Sequence, residues 1–243
     1  MPANKADIIA QLQKNILSLQ GLKPIKQRIK PELGLKPLNL SFPNQTFPLG
    51  AIHEFHCTIP EDAAATTGFI AGLLSGLMHN GSIVLWIHTS LIFPSALSSF
   101  GIQPDRIIFI NPAKDKDVLY IMEQALKCSD LAAVVGEVRQ LDFTASRRLQ
   151  LAVEQSCVTG FIICRNAAKA GITASVARWR ITSLPGIITD DSPGIGHPRW
   201  KAELLKIRNG KPGAWEIHWF NGRFCFSPQQ VKAIPMQQPK KTG

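Results

Sequence analysis

The densest chemistry in the sequence lies in FPLGAIHEFHCTIPEDAAATTGFIAGLLSGL, residues 47–77. Its first half carries His53, Glu54, His56 and Cys57, side-chain types that ligate transition metals. A strand sends His53 and His56 to opposite faces, and no second cluster supplies further ligands, so no metal is expected here. The second half is a strand, a loop and then a long helix. Such a unit holds a nucleotide when glycines let backbone N–H groups wrap the phosphates, a lysine neutralises them and a Ser or Thr holds magnesium. This loop has no lysine. Pro60 suits a first helical turn, and Glu61 and Asp62 suit the positive end of the helix dipole, where they would also repel a phosphate. By its residues alone the segment is an ordinary helix start.

Three further groups invite a functional reading. Ser146, Arg147 and Arg148 fall on a helix and read as a solvated face. Cys164, Arg165 and Asn166 end a strand at the edge where α/β sheets bind ligands. Arg178 and Arg180 flank Trp179, and Arg199, Lys201, Lys206, Arg208 and Lys211 follow. Basic residues interleaved with tryptophan are the pattern of single-strand stacking, whereas the i, i+2 spacing of the tryptophans suits packing within a sheet. Packing is the favoured reading for the rings, with Arg178, Arg180, Arg199, Lys206, Arg208 and Lys211 as a basic surface open to DNA. No set of residues makes a catalytic constellation, and no cofactor is expected.

The elements that must position these residues alternate along the chain. Candidate strands are Ala51–His56, Ser82–His88, Arg106–Ile110, Leu131–Gly136, Gly160–Cys164 and Val176–Thr182, with helices near 61–79, 94–100, 114–128 and 142–156. Continuous apolar runs such as SIVLWI, LAAVVG and GFIIC belong to a sheet covered on both faces. The alternation predicts an α/β, doubly wound, mostly parallel sheet. Residues 183–200 read as a connection rich in Gly and Pro. AELLKIRNGKPGAWEIHWFNGRFCFS reads as a three-stranded antiparallel meander, with Asn209-Gly210 and Asn221-Gly222 as its turns.

Charge is uneven along the chain. The formal net charge is +10. Residues 1–46 hold seven Lys/Arg against two Asp/Glu, residues 47–183 eleven of each, and residues 184–243 nine against four. Basic ends meet nucleic acid or acidic protein surfaces, or stay solvated. Residues 5–20 place Ile8, Ile9, Leu12 and Ile16 on one face of an amphipathic helix, which either docks on a partner or folds back on its own domain. Residues 21–46, rich in Lys and Pro, read as a linker or surface strap. The expected organisation is an N-terminal helix and linker (1–46), a core with its meander (47–227) and a flexible tail (228–243). Five scattered cysteines, the absence of an apolar run of 18 residues and a start without secretory features predict a cytoplasmic protein with reduced thiols and no membrane segment.

The layout from PLGAIHEF through the later strands resembles the RecA-like recombinase core. On that resemblance Ile59 stands at the first glycine of the phosphate loop, Ala64 at the second, Ala65 at the lysine and Thr66 at the magnesium ligand, with Pro60 inside the loop. Thr89 stands where recombinases carry the carboxylate that activates water. Gly136, near the end of the fourth candidate strand, stands at the magnesium-associated aspartate, with Glu137 one place on. Losing the lysine contacts alone would weaken triphosphate binding by ~10- to 1,000-fold. The loops that grip DNA shrink to about 138–143 and 165–172. The resemblance thus implies a pseudo-ATPase.

PLGAIHEF, PEDAAATTGF, ASVARWRITSLP and RNGKPGAWEIHW together resemble the ImuA error-prone repair proteins, which are degenerate RecA-like chains. That resemblance implies a noncatalytic accessory of SOS-induced mutagenic translesion synthesis. Its implied partners are a Y-family-like polymerase protein, the recombinase, or both. The alternatives are a cell-division inhibitor of the SulA type and a DNA-binding recombinase-like ATPase.

Overall fold

The computed structural model describes residues 33–78, 82–89, 93–166, 171–187 and 196–226. In chain order the elements are α1 (Lys36–Asn39), β1 (Ile52–His56), α2 (Pro60–Leu77), β2 (Ile83–Ile87), α3 (Pro94–Leu97), β3 (Ile107–Ile110), α4 (Asp115–Ala125), β4 (Leu131–Val138), α5 (Phe143–Ser156), β5 (Thr159–Cys164), β6 (Ala177–Ile187), β7 (His197–Ile207), β8 (Gly213–Phe220) and β9 (Arg223–Phe226). The strands form one sheet in the order β3-β2-β4-β5-β1-β6-β7-β8-β9. Pairing from β3 to β6 is parallel, and from β6 to β9 antiparallel. This is the doubly wound sheet with a C-terminal meander that the alternating apolar runs predict.

Two segments depart from the expectation. Residues 183–200 do not read as a plain connection, because Ser183 pairs with Trp200, Leu184 with Arg199 and Ile187 with His197. Pro185 and Gly186 fall at a register shift between Leu184 and Ile187, where a strand tolerates a missing donor. Residues 33–46 are not a solvated strap either. Leu35, Leu38 and Phe42 are buried in the main core, and the Ser41 carbonyl accepts the Lys211 N–H at 2.9 Å. A boundary after residue 46 therefore cuts through core packing. Residues 1–32 and 227–243, with the expected helix bearing Ile8, Ile9, Leu12 and Ile16 and the expected tail, lie outside the described residues.

One core lies on each face of the sheet. On one face α4 and α5 cover Ile52, Val134 and Ile162. On the other α2, residues 35–47 and the inner face of the meander enclose an aromatic layer. Trp179 sits at its centre, with ring centroids 5.9 Å from Phe42, 6.1 Å from Phe55 and 6.2 Å from Phe69. Alternation along β8 brings Trp215, Ile217 and Trp219 to the same side. Gly72 of α2 is required by this packing, since a Cβ there would stand 2.5 Å from the Phe224 ring. At the tip of the last hairpin Asn221 and Gly222 both take positive φ, as a tight two-residue turn demands.

His53 belongs to this aromatic layer. Its ring stacks on Phe47 at 4.3 Å, its Nε2–H donates to the Pro48 carbonyl at 2.6 Å, and its Nδ1 accepts from Trp179 Nε1 at 3.3 Å. Both nitrogens are used by the neutral ring. Burial pushes its pKa from 6.5 down to about 4, against the opposing pull of the Pro48 bond. The stability this ring contributes is complete above pH 6.5 and is lost as pH falls toward 4. That loss amounts to about 3 kcal/mol. Urea unfolding measured from pH 7 to 4 should show this decline, and His53→Gln, which keeps hydrogen-bonding atoms without titrating, should flatten it.

Candidate functional site at the carboxyl end of the parallel strands

The connection from β1 to α2 is only Cys57, Thr58 and Ile59 before the helix begins at Pro60. A nucleotide loop needs several non-helical residues whose N–H groups point at a phosphate. Here Ala63 N–H donates to the Ile59 carbonyl, and the Asp62 carboxylate accepts from the Thr58 hydroxyl at 2.8 Å and from its N–H at 3.4 Å. The Asp62 carboxylate thus ties the connection to the first turn, at the end of the helix where the dipole favours negative charge. Ile59, Pro60 and Ala64 are exposed, whereas Ala65 and Thr66 face the core. The Thr66 hydroxyl lies 3.4 Å from the Cys57 sulfur. The five positions are thus divided between solvent and core.

Thr89, Glu137 and Arg165 meet at the ends of β2, β4 and β5. The Thr89 N–H donates to Glu137 at 3.1 Å, and the Arg165 guanidinium pairs with the same carboxylate. Gly136 lies under α4, where a Cβ would stand 2.6 Å from the Met122 sulfur, so an aspartate there would have to displace a fully buried side chain.

A second cluster lies on the other side of the strand ends and is larger. Glu54 and His56 are alternate residues of β1 and share the face covered by α5, while β6 puts Arg178 beside Glu54 and β5 puts Cys164 beside His56. Glu54 Oε1 lies 2.6 Å from His56 Nε2, and its Oε2 accepts from Thr173 Oγ1 at 2.5 Å and from Arg178 at 3.3 Å. Burial alone would raise the Glu54 carboxyl, but the bonds from His56 and Thr173 and the charge of Arg178 outweigh it and hold it below its usual range. Burial pushes the Cys164 thiol well up. Above the cluster opens a cleft of about 370 Å³, rimmed by Gln140, Asp142, Phe143, Asn166 and Ile172.

The sequence comparison of His53 with His56 overlooked the pair that matters, Glu54 with His56, although the i, i+2 spacing was legible. Cys164 could not be found that way, because only the β1–β5 register brings it in.

Most of the expected basic surface is engaged within the chain. Arg178 donates to the Gly171 carbonyl at 2.7 Å, Arg208 to the Ala174 carbonyl at 2.8 Å and Lys206 to the Thr173 carbonyl at 3.5 Å. Arg199 pairs with Glu216 at 2.5 Å. Arg180 and Lys211 are exposed. Trp179, Trp200, Trp215 and Trp219 are buried, so these rings serve packing rather than base stacking. Ser146 is also buried; its hydroxyl donates to the Phe143 carbonyl and accepts from the Ala174 N–H, while Arg147 and Arg148 are exposed.

No protein-family profile matches the chain. Two curated relatives do, each named Protein ImuA and each from a strain of Caulobacter vibrioides. Each is 35% identical over 187 residues, covering 72% of this chain and 77% of the relative. Among solved structures, a KaiC-like protein from Pyrococcus horikoshii superposes with a TM-score of 0.55 over 83% of this chain and 99% of its own, at 12% identity. At that identity the likeness is one of fold, and the fold is RecA-like.

Removing the Glu54 carboxylate would leave Arg178 partly buried without its anion. Glu54→Ala should therefore cost about 3 kcal/mol in urea unfolding at pH 7. Because Glu54 is held below 4.5, its contribution is present at neutral pH and lost as pH falls through its folded value. The gap between the variant and the unaltered chain should accordingly close on acidification.

Proposed function

This chain belongs to the ImuA family, and from that premise we propose that it is a noncatalytic RecA-like accessory protein of SOS-induced mutagenic translesion DNA synthesis. In this reading it acts in the cytoplasm by binding a Y-family-like polymerase protein, the recombinase, or both. The observation that carries it is the β1–α2 connection, in which helix replaces the phosphate loop and Asp62 occupies the positive end of α2. Ala65 in place of the lysine, Thr89 in place of the water-activating carboxylate and Gly136 in place of the magnesium-associated aspartate support the same reading. Phosphoryl transfer is almost entirely positioning and charge neutralisation, and each of these substitutions removes a part of it.

With the chemistry gone, the retained sheet serves as a platform for contacts. The segment carrying Ile8, Ile9, Leu12 and Ile16, expected from its sequence to be an amphipathic helix, is the proposed protein-docking element. DNA contact, if made, falls to the basic ends and to Arg180 and Lys211 rather than to the cations engaged with carbonyls.

A pull-down of purified recombinase and of the organism's Y-family-like polymerase protein by the full chain tests this. Capture of at least one of them, reduced at least ~10-fold by Ile8→Asp with Leu12→Asp, is expected from the loss of two buried apolar anchors. Capture of neither by the well-folded chain would contradict the proposal.

A further inference from the structure

We propose that Glu54, His56 and Cys164 form a binding site for a divalent transition-metal ion, Zn²⁺ by the chemistry of its donors. Among the described residues these three each offer a ligand atom, and the atoms all lie within 4.8 Å of one another. Zinc bonds to nitrogen, oxygen and sulfur of ~2.0–2.3 Å set tetrahedral donors roughly 3.3–3.7 Å apart. The present cluster reaches that spacing by side-chain rotation, with the 2.6 Å His56–Glu54 contact opening to admit the ion.

The scaffold is suited to hold it. The ligands come from two adjacent, fully buried parallel strands, and the register that sets His56 opposite Cys164 is fixed by the sheet. Rigid elements of this kind locate ligands better than loops do. Thr173 and Arg178 hold Oε2 of Glu54, which leaves Oε1 turned toward His56. Outer-shell bonds of this type orient a carboxylate ligand. Three protein donors leave the fourth position facing the cleft of about 370 Å³, where water completes the shell.

Thiolate and imidazole donors select zinc over magnesium or calcium, which prefer oxygen. The charges are consistent. A neutral His56 binds through Nε2 with its proton on Nδ1, and Cys164 gives its thiol proton to solvent as the sulfur–metal bond forms. Carboxylate and thiolate then neutralise the ion, with the positive charges of Arg178 and Lys206 nearby. Within HEFHC, His53 and His56 point to opposite faces; the β1–β5 pairing brings Cys164 to the face that carries Glu54 and His56.

Cobalt(II) is the probe, added to the full chain after treatment with chelator. One equivalent should bind and give a thiolate-to-cobalt charge-transfer band with tetrahedral d–d bands, and Zn²⁺ should displace it. Cys164→Ser should abolish the charge-transfer band, while Cys128→Ser, which removes an exposed thiol, should leave it intact. His56→Gln keeps the thiol and should weaken cobalt binding at least ~10-fold, since loss even of an outer-shell partner costs that much. Absence of the band in the unaltered chain, its survival in Cys164→Ser, or unchanged affinity in His56→Gln would overturn the proposal.

Discussion

The aromatic layer around Trp179 is the packing on which the other elements depend. Its ring joins β6 to β1 through the hydrogen bond to His53, to α2 through Phe69 and to the N-terminal strap through Phe42. Phe69 then passes the contact to Phe224, which packs on Trp219 at 5.0 Å. A parallel half and an antiparallel half of one sheet are thereby covered by a single continuous core. Small residues on α2 make it possible: Gly68 and Gly72 let the meander's rings approach the helix backbone. Truncating an aromatic in such a layer costs about 3–5 kcal/mol, so one contact can carry much of a domain's net stability.

This packing bears on function through α2. A helix held by the meander's rings at Gly68, Phe69 and Gly72 begins after a connection of three residues. Asp62 in its first turn holds Thr58 of that connection. At the carboxyl ends of β2, β4 and β5, Glu137 pairs with Arg165 and accepts the Thr89 N–H. These polar groups find their partners within the chain, as buried polar groups must. Adjacent to them, Glu54, His56, Cys164 and Arg178 keep a concentration of polar chemistry under an open cleft.

Much of the fold was legible in the sequence, because continuous apolar strands alternating with helices leave few arrangements. The elements that sequence reasoning missed are those decided by distant partners. Pro185 and Gly186 signal a turn locally, yet β7 pairs across them. The Lys- and Pro-rich segment ending at residue 46 looks like a linker, yet Leu35, Leu38 and Phe42 are buried in the core that holds Trp179. Arg178, Lys206 and Arg208 read as a basic surface, yet three carbonyls between residues 171 and 174 absorb them. In the candidate site, Glu54 and His56 were visible as a pair on one face, and Cys164 was not.

The RecA-like sheet is proposed to persist here without phosphoryl transfer. The most direct test is ATP hydrolysis by the full chain, with magnesium and single-stranded DNA present, compared with Thr66→Ala. The account predicts no hydrolysis above background in either protein. DNA-dependent hydrolysis that Thr66→Ala abolishes would contradict it, because the hydroxyl now set against Cys57 would then have to hold magnesium.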